Sequence, residues 1–241
     1  MKLRVVESYD EMSKLTAKEI VTRITTNHSF TLGLATGSTP EGVYKSLIEE
    51  HKRNGISFEN VSTFNLDEYI GLDPIHKNSY HCFMQQKLFS YINIFKSNIH
   101  IPKGNTSNHQ EECLHYESII KASGGIALQI LGIGKNGHIG FNEPGTDFSS
   151  RTHIVNLTES TRAANARFFS TPEEVPTQAI TMGISTILDS KEIFLLVSGH
   201  QKAEALHKLL TTDCDNMFPA SSLKNHSNVT IIADSDAATL L

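Results

Sequence analysis

The chain predicts an α/β fold, an open and doubly wound sheet of mostly parallel strands covered by helices on both faces. Short apolar runs alternate with amphipathic stretches of helical spacing almost from end to end. Its 241 residues suffice for one sizeable core. No Pro/Ser-rich linker, repeat or low-complexity tract interrupts it, so 1–241 reads as a single domain.

Strands are predicted near Leu3–Val6, Phe30–Ala35, Val61–Leu66, Asn98–Ile101, Ile126–Ile133, His153–Asn156, Glu192–Val197 and Val229–Ala233. Each is a short apolar run, as expected for strands buried on both faces. Between them, Tyr9–Thr26, Pro40–Arg53, Ser79–Ile92, Gln110–Ala122, Thr161–Phe169 and Gln201–Thr211 repeat apolar residues with helical period.

Composition narrows the function. Hydrophobic residues at 39% and charged residues at 20% are ordinary for a globular protein. A net charge of -5 leaves no basic excess for a nucleic acid. The longest apolar run, Ile193 to Val197, is too short for a membrane span, and the amino terminus lacks a signal-peptide core. Cys82, Cys113 and Cys214 form no CxxC pair, which favours a cytoplasmic setting with the thiols as buried small hydrophobes. The histidines show no metal-ligand spacing; His76, His81, His109 and His115 read as scattered polar positions.

Three segments could carry chemistry. Leu32 to Gly42 is a strand, a turn rich in Gly and hydroxyls, then a helix from Pro40. Backbone amides of the helix's first turn, with Thr36, Ser38 and Thr39, could cradle a phosphate, although the segment reads equally as a capped helix. It lacks GxxxxGK[ST] and is no nucleotide P-loop. In Phe64 to Gly71 the adjacent carboxylates Asp67 and Glu68 follow an apolar strand and should point to different sides of its end. A poorly solvated carboxylate there can take a proton from carbon, although an Asp-Glu pair is also ordinary in a solvated turn. Gly132 to Gly137 matches GxGxxG after a strand. The following His-Ile-Gly-Phe-Asn-Glu-Pro-Gly cannot begin the helix a dinucleotide site requires. That loop instead offers His138, with Glu143 close enough in sequence to orient it. Arg167 and Lys202 are suited to a phosphate dianion, or else are solvated charges.

Together LGLATGSTPEGVY, TFNLDEYIGL, NSYHCFM, LGIGKNGHIGFNEPGT, SRT, ANARFF, AITMG and SGHQKAEA resemble the glucosamine-6-phosphate deaminase family over nearly the whole chain. The resemblance implies Rossmann-like topology, an amino-sugar phosphate as substrate, and no metal or organic cofactor. It places the carbon 2 base on Asp67 and ring opening on His138, assisted by Glu143 and Asn136. It places phosphate binding on Gly37, Ser38, Thr39, Arg167 and Lys202. Position 136 is Asp in part of the family; Asn can hydrogen-bond but cannot fix an imidazolium by charge, which should leave His138 more dependent on Glu143. Some hexameric members are activated by N-acetylglucosamine 6-phosphate through two basic residues that here are His153 and Val155. The resemblance therefore implies a non-allosteric monomer, or at most a weak homo-oligomer. A 6-phosphogluconolactonase shares the sheet but does not require the Asn-Leu-Asp-Glu-Tyr segment. A sugar-phosphate sensor would carry a basic DNA-binding head, which this sequence lacks.

Overall fold

In the computed structural model of the chain, residues 1–27, 29–166, 169 and 171–241 are described. Seven strands form one parallel sheet: β1 (Lys2–Val6), β2 (Phe30–Leu34), β3 (Val61–Asn65), β5 (Ile99–His100), β6 (Leu128–Gly132), β9 (Ile193–Val197) and β10 (Val229–Asp234). Their order is β1-β10-β9-β6-β2-β3-β5. The chain therefore steps outward from β2 to β5, then returns to the other side of β2 with β6. The neighbours β2 and β6 flank a topological switch point, where loops at the strands' carboxyl ends part and leave a crevice.

Helices α1 (Tyr9–Thr26), α2 (Ser38–Asn54), α3 (Tyr80–Lys87), α4 (His109–Ala122), α5 (Glu159–Asn165), α6 (Ile184–Leu188) and α7 (Ala203–Thr211) complete the fold. Alternate residues of the strands feed two cores, one on each face. Leu32, Leu34, Leu128 and Ile130 pack with Met12, Ile20, Val43, Tyr44 and Leu47 of α1 and α2. Phe64, Leu131, Leu195 and Ile231 pack with Tyr116 of α4 and Leu206 and Leu209 of α7. Because successive side chains point to opposite faces, a strand covered on both sides is apolar at most of its positions, as β9 is at all five.

The doubly wound architecture is as expected, with shifted ends and three additions. The second helix starts at Ser38 rather than Pro40, with Gly37 as its cap. The predicted Ser79–Ile92 helix breaks at Lys87 into a 3-10 turn, Phe89–Tyr91. The additions are α6 and the short strands β4 (Asp67–Tyr69) and β8 (Gln178–Thr181). With β7 (His153–Asn156), these strands form a second, antiparallel sheet in the order β4-β8-β7. Segments this short give no periodic signal; they are strands because each finds a partner across the crevice. Of the thiols, only Cys113 is buried, and Cys214 is exposed. Among the described residues no helix is long and apolar enough to cross a membrane.

Candidate active site

Two loops at the switch point bring the predicted residues together. The first leaves β2 through Thr36 and Gly37 into α2, so Gly37, Ser38 and Thr39 form that helix's start. Tyr9 of α1 holds this turn, donating to the Ser38 carbonyl at 2.9 Å and accepting from Gly42 N–H at 2.7 Å. The second loop, 133–145, follows β6. No helix starts there, which removes the structural basis of a dinucleotide fingerprint.

The second loop is folded around His138. Gly134 lies under the imidazole: a Cβ there would fall 2.2 Å from the ring. Gly137 adopts φ +84°, a region side chains disfavour, and a Cβ there would strike the Phe218 ring at 2.2 Å. The loop is braced from outside by Ala220 N–H to Gly137 O (2.8 Å) and Gly145 N–H to Asn216 O (2.9 Å).

The hydrogen bonds then set the imidazole's tautomer. The Glu143 carboxylate can only accept, so Asn136 presents its Nδ2 to Glu143 Oε2 at 2.7 Å. That turns Asn136 Oδ1 toward His138 Nδ1 at 2.7 Å, so Nδ1 carries the proton and Nε2 is left as an acceptor. His138 does not bond to Glu143 directly, since Nδ1 and Oε2 are 3.8 Å apart. Glu143 therefore acts on His138 by two routes, through the Asn136 amide and directly by its charge. Thr161 Oγ1 bonds the other oxygen of Glu143. Burial holds the His138 pKa below the usual imidazole value and nearby Lys202 adds to the effect, while Glu143 opposes it.

Asp67 is buried, 6% exposed. It opens β4 opposite Thr181 of β8. A Cβ on Gly140, two residues after His138, would come within 3.5 Å of Asp67 Oδ2. The carboxylate therefore faces the His138 loop. Desolvation, with the Glu68 charge second, pushes its pKa up to about 8. Glu68 is also buried, but its carboxylate turns to α3 instead, bonding Tyr80 N–H, His81 N–H and the His81 ring. The two carboxylates diverge as expected. The solvated-turn reading of the pair does not hold, and His81 is no scattered polar position.

Lys202 ends the 3-10 turn His200–Lys202 after β9. Burial, and then Lys135, lower its pKa from the ordinary lysine value. Arg167 lies outside the described residues. Sequence reasoning missed Thr161, Lys135 and the order of the His138–Asn136–Glu143 relay, since Thr161 is remote in sequence and nothing local marks it. A groove of about 790 Å³ is lined by Ser38, Thr39 and Ser198 among others, and neither Asp67 nor His138 lines it. Among the described residues no group of three or more His, Cys, Asp or Glu side chains could hold a metal ion.

A buried carboxylate, an imidazole of set tautomer and a half-buried ammonium around the switch point of a parallel sheet define an α/β enzyme site built for moving protons. The chain belongs to the glucosamine-6-phosphate isomerase/6-phosphogluconolactonase family, whose model matches residues 6–232. It is 56% identical over 237 residues to a glucosamine-6-phosphate deaminase of Oceanobacillus iheyensis, covering 98% of this chain and 95% of that one. It is 49% identical to glucosamine-6-phosphate deaminase 1 of Bacillus subtilis, covering 100% and 99%. Its fold matches a solved monomeric glucosamine-6-phosphate deaminase with TM-score 0.98 at 48% identity, covering both chains in full. A 6-phosphogluconolactonase from Trypanosoma brucei shares the fold at TM-score 0.82 but only 18% identity, covering 100% of this chain and 98% of that one.

Proposed function

We propose that this enzyme converts glucosamine 6-phosphate and water to fructose 6-phosphate and ammonium. It is formally a hydrolase of a C–N bond whose chemistry is an aldose–ketose isomerisation. The observation that carries the reading is the buried, basic Asp67 facing the loop that presents His138 with Nε2 free. The full-length similarity to deaminases supports it over the lactonase alternative.

The substrate arrives as a closed pyranose, and carbon 1 must become a carbonyl before the carbon 2 proton is acidic. His138 Nε2 takes the anomeric hydroxyl proton and returns it to the ring oxygen, opening the ring. Asp67 then removes the carbon 2 proton, giving an enolamine. A carboxylate with pKa about 8 is a far stronger base than an ordinary aspartate. Reprotonation at carbon 1 gives a ketimine; water adds at carbon 2 and ammonia leaves. Gly37, Ser38, Thr39, Lys202 and Arg167 hold the phosphate, keeping the open chain in register. No step calls for a metal or organic cofactor.

We further read residues 1–241 as one catalytic domain, cytoplasmic and monomeric. Initial rates of ammonium release by purified protein test the function. Rates should rise hyperbolically with glucosamine 6-phosphate and ignore N-acetylglucosamine 6-phosphate, since Val155 cannot pair with a phosphate. No ammonium from glucosamine 6-phosphate rejects the activity, and a sigmoidal curve made hyperbolic by the effector rejects the non-allosteric reading.

Lys202→Ala should lower kcat/KM roughly 10–100-fold, mainly through KM, as expected for loss of a charge-assisted hydrogen bond. Glucosamine without phosphate should be a poor substrate for both proteins and hardly distinguish them. An equal loss on that sugar would remove Lys202 from the phosphate site.

A further inference from the structure

Glu68 is 1% exposed, yet no step above uses it. Its Oε1 accepts from the N–H groups of Tyr69 (2.8 Å) and Tyr80 (2.9 Å). Its Oε2 accepts from His81 N–H (3.0 Å) and from the ring Nδ1 (2.8 Å), which must be the protonated nitrogen because a carboxylate only accepts. Tyr80 and His81 open α3, so the negative charge sits where that helix leaves its amides unpaired.

These bonds tie α3 to β4 beside Asp67. The strand is three residues long and depends on such ties. They also set Tyr80, whose ring lies 4.8 Å from Tyr69 and stacks on Phe141 at 6.2 Å. Tyr69, Tyr80 and Phe141 thus form one aromatic wall beside the base and the His138 loop. Burying a carboxylate without partners is costly, and here every contact is a donor aimed from α3 or from the strand itself.

We infer that Glu68, with His81 as its donor, is a positioning residue that fixes the Asp67 carboxylate toward the reacting carbon by clamping the start of α3 to β4. This rests on Asp67 being the base. The clamp has an electrostatic consequence. The titratable groups facing Asp67 are Glu68 and Tyr69 on its own strand, Tyr44 of α2, Tyr80 of α3 and Tyr116 of α4. Burial holds all four phenols neutral through the working range. Among the described residues Glu68 is thus the charge that acts on the base, and beside desolvation it keeps Asp67 basic as well as placed.

The test compares pH profiles and kinetic constants of wild type, Glu68→Gln, Glu68→Asp and Asp67→Asn. In Glu68→Gln the acidic limb of kcat/KM should move about one unit lower, with kcat down about tenfold or more and KM within about twofold. A clamp that only supports the fold would lower kcat without moving the limb, and that result overturns the inference. Glu68→Asp keeps the charge but is one methylene short of α3. It should lower kcat with the limb, KM and melting temperature in place. It carries the test if Glu68→Gln does not fold, since a kcat loss that only follows a lowered melting temperature overturns the inference. Wild-type kcat in Glu68→Asp also overturns the inference. Carbon 2 proton exchange surviving in folded Asp67→Asn would instead sink the base assignment, so the two failures are told apart.

Discussion

Asp67→Asn is expected to abolish exchange of the carbon 2 proton with solvent and to lower kcat by about 10²–10⁴-fold or more, the usual contribution of a positioned base. The same change should stabilise the fold at alkaline pH. The folded carboxyl titrates at about 8, well above its unfolded value of 3.8. The folded state therefore holds a proton the unfolded state has released, so the contribution of Asp67 to stability is complete at low pH and lost as pH rises from about 4 through 8. Asparagine does not titrate and escapes that loss. Proton exchange followed by NMR and melting temperature against pH read both effects. In wild type, kcat/KM should climb with pH through the same region, because only the ionised base works. A folded variant that still exchanges the proton, or one less stable than wild type at pH 8, would contradict the assignment.

His138→Gln should be nearly as damaging, and selectively so. The loss should be about 10²–10⁴-fold on glucosamine 6-phosphate. It should be much smaller on an analogue lacking the 5-hydroxyl, which cannot close the six-membered ring. The backbone N–H of residue 138 still donates to Asn136 Oδ1 at 3.2 Å, so the loop should persist, but an amide cannot shuttle a proton between two oxygens. Burial lowers the imidazole pKa, which keeps Nε2 unprotonated and able to accept at neutral pH. Equal losses on the two substrates would mean that His138 does something other than open the ring.

What was legible differs between the fold and the site for physical reasons. The parallel sheet was readable because its central strands are buried on both faces and show as short, mostly apolar runs, unbroken in Phe194-Leu195-Leu196-Val197. The antiparallel sheet was not. Asp67-Glu68-Tyr69 has no strand-like composition, and its three residues pair only because Ala179, Ile180 and Thr181 arrive opposite them. In the glycine-rich loop His138 and Glu143 could be singled out because an imidazole and a carboxylate lie five residues apart there, while their roles and that of Asn136 came from the family resemblance. Their wiring could not be named.

The sequence by itself determined the alternation of strands and helices, the two switch-point loops and the side chains that can bind an anion or move a proton. These follow from local period, from glycine's access to positive φ and from side-chain chemistry. Only the tertiary structure decided that Glu143 reaches His138 through Asn136, that Thr161 joins them from 18 residues away, and that Glu68 holds α3 while Asp67 faces the His138 loop. Hydrogen-bond partners and desolvation depend on which segments meet across the crevice. The same Asp-Glu pair is a solvated turn or a buried base with its clamp according to whether α3 and β8 close over it.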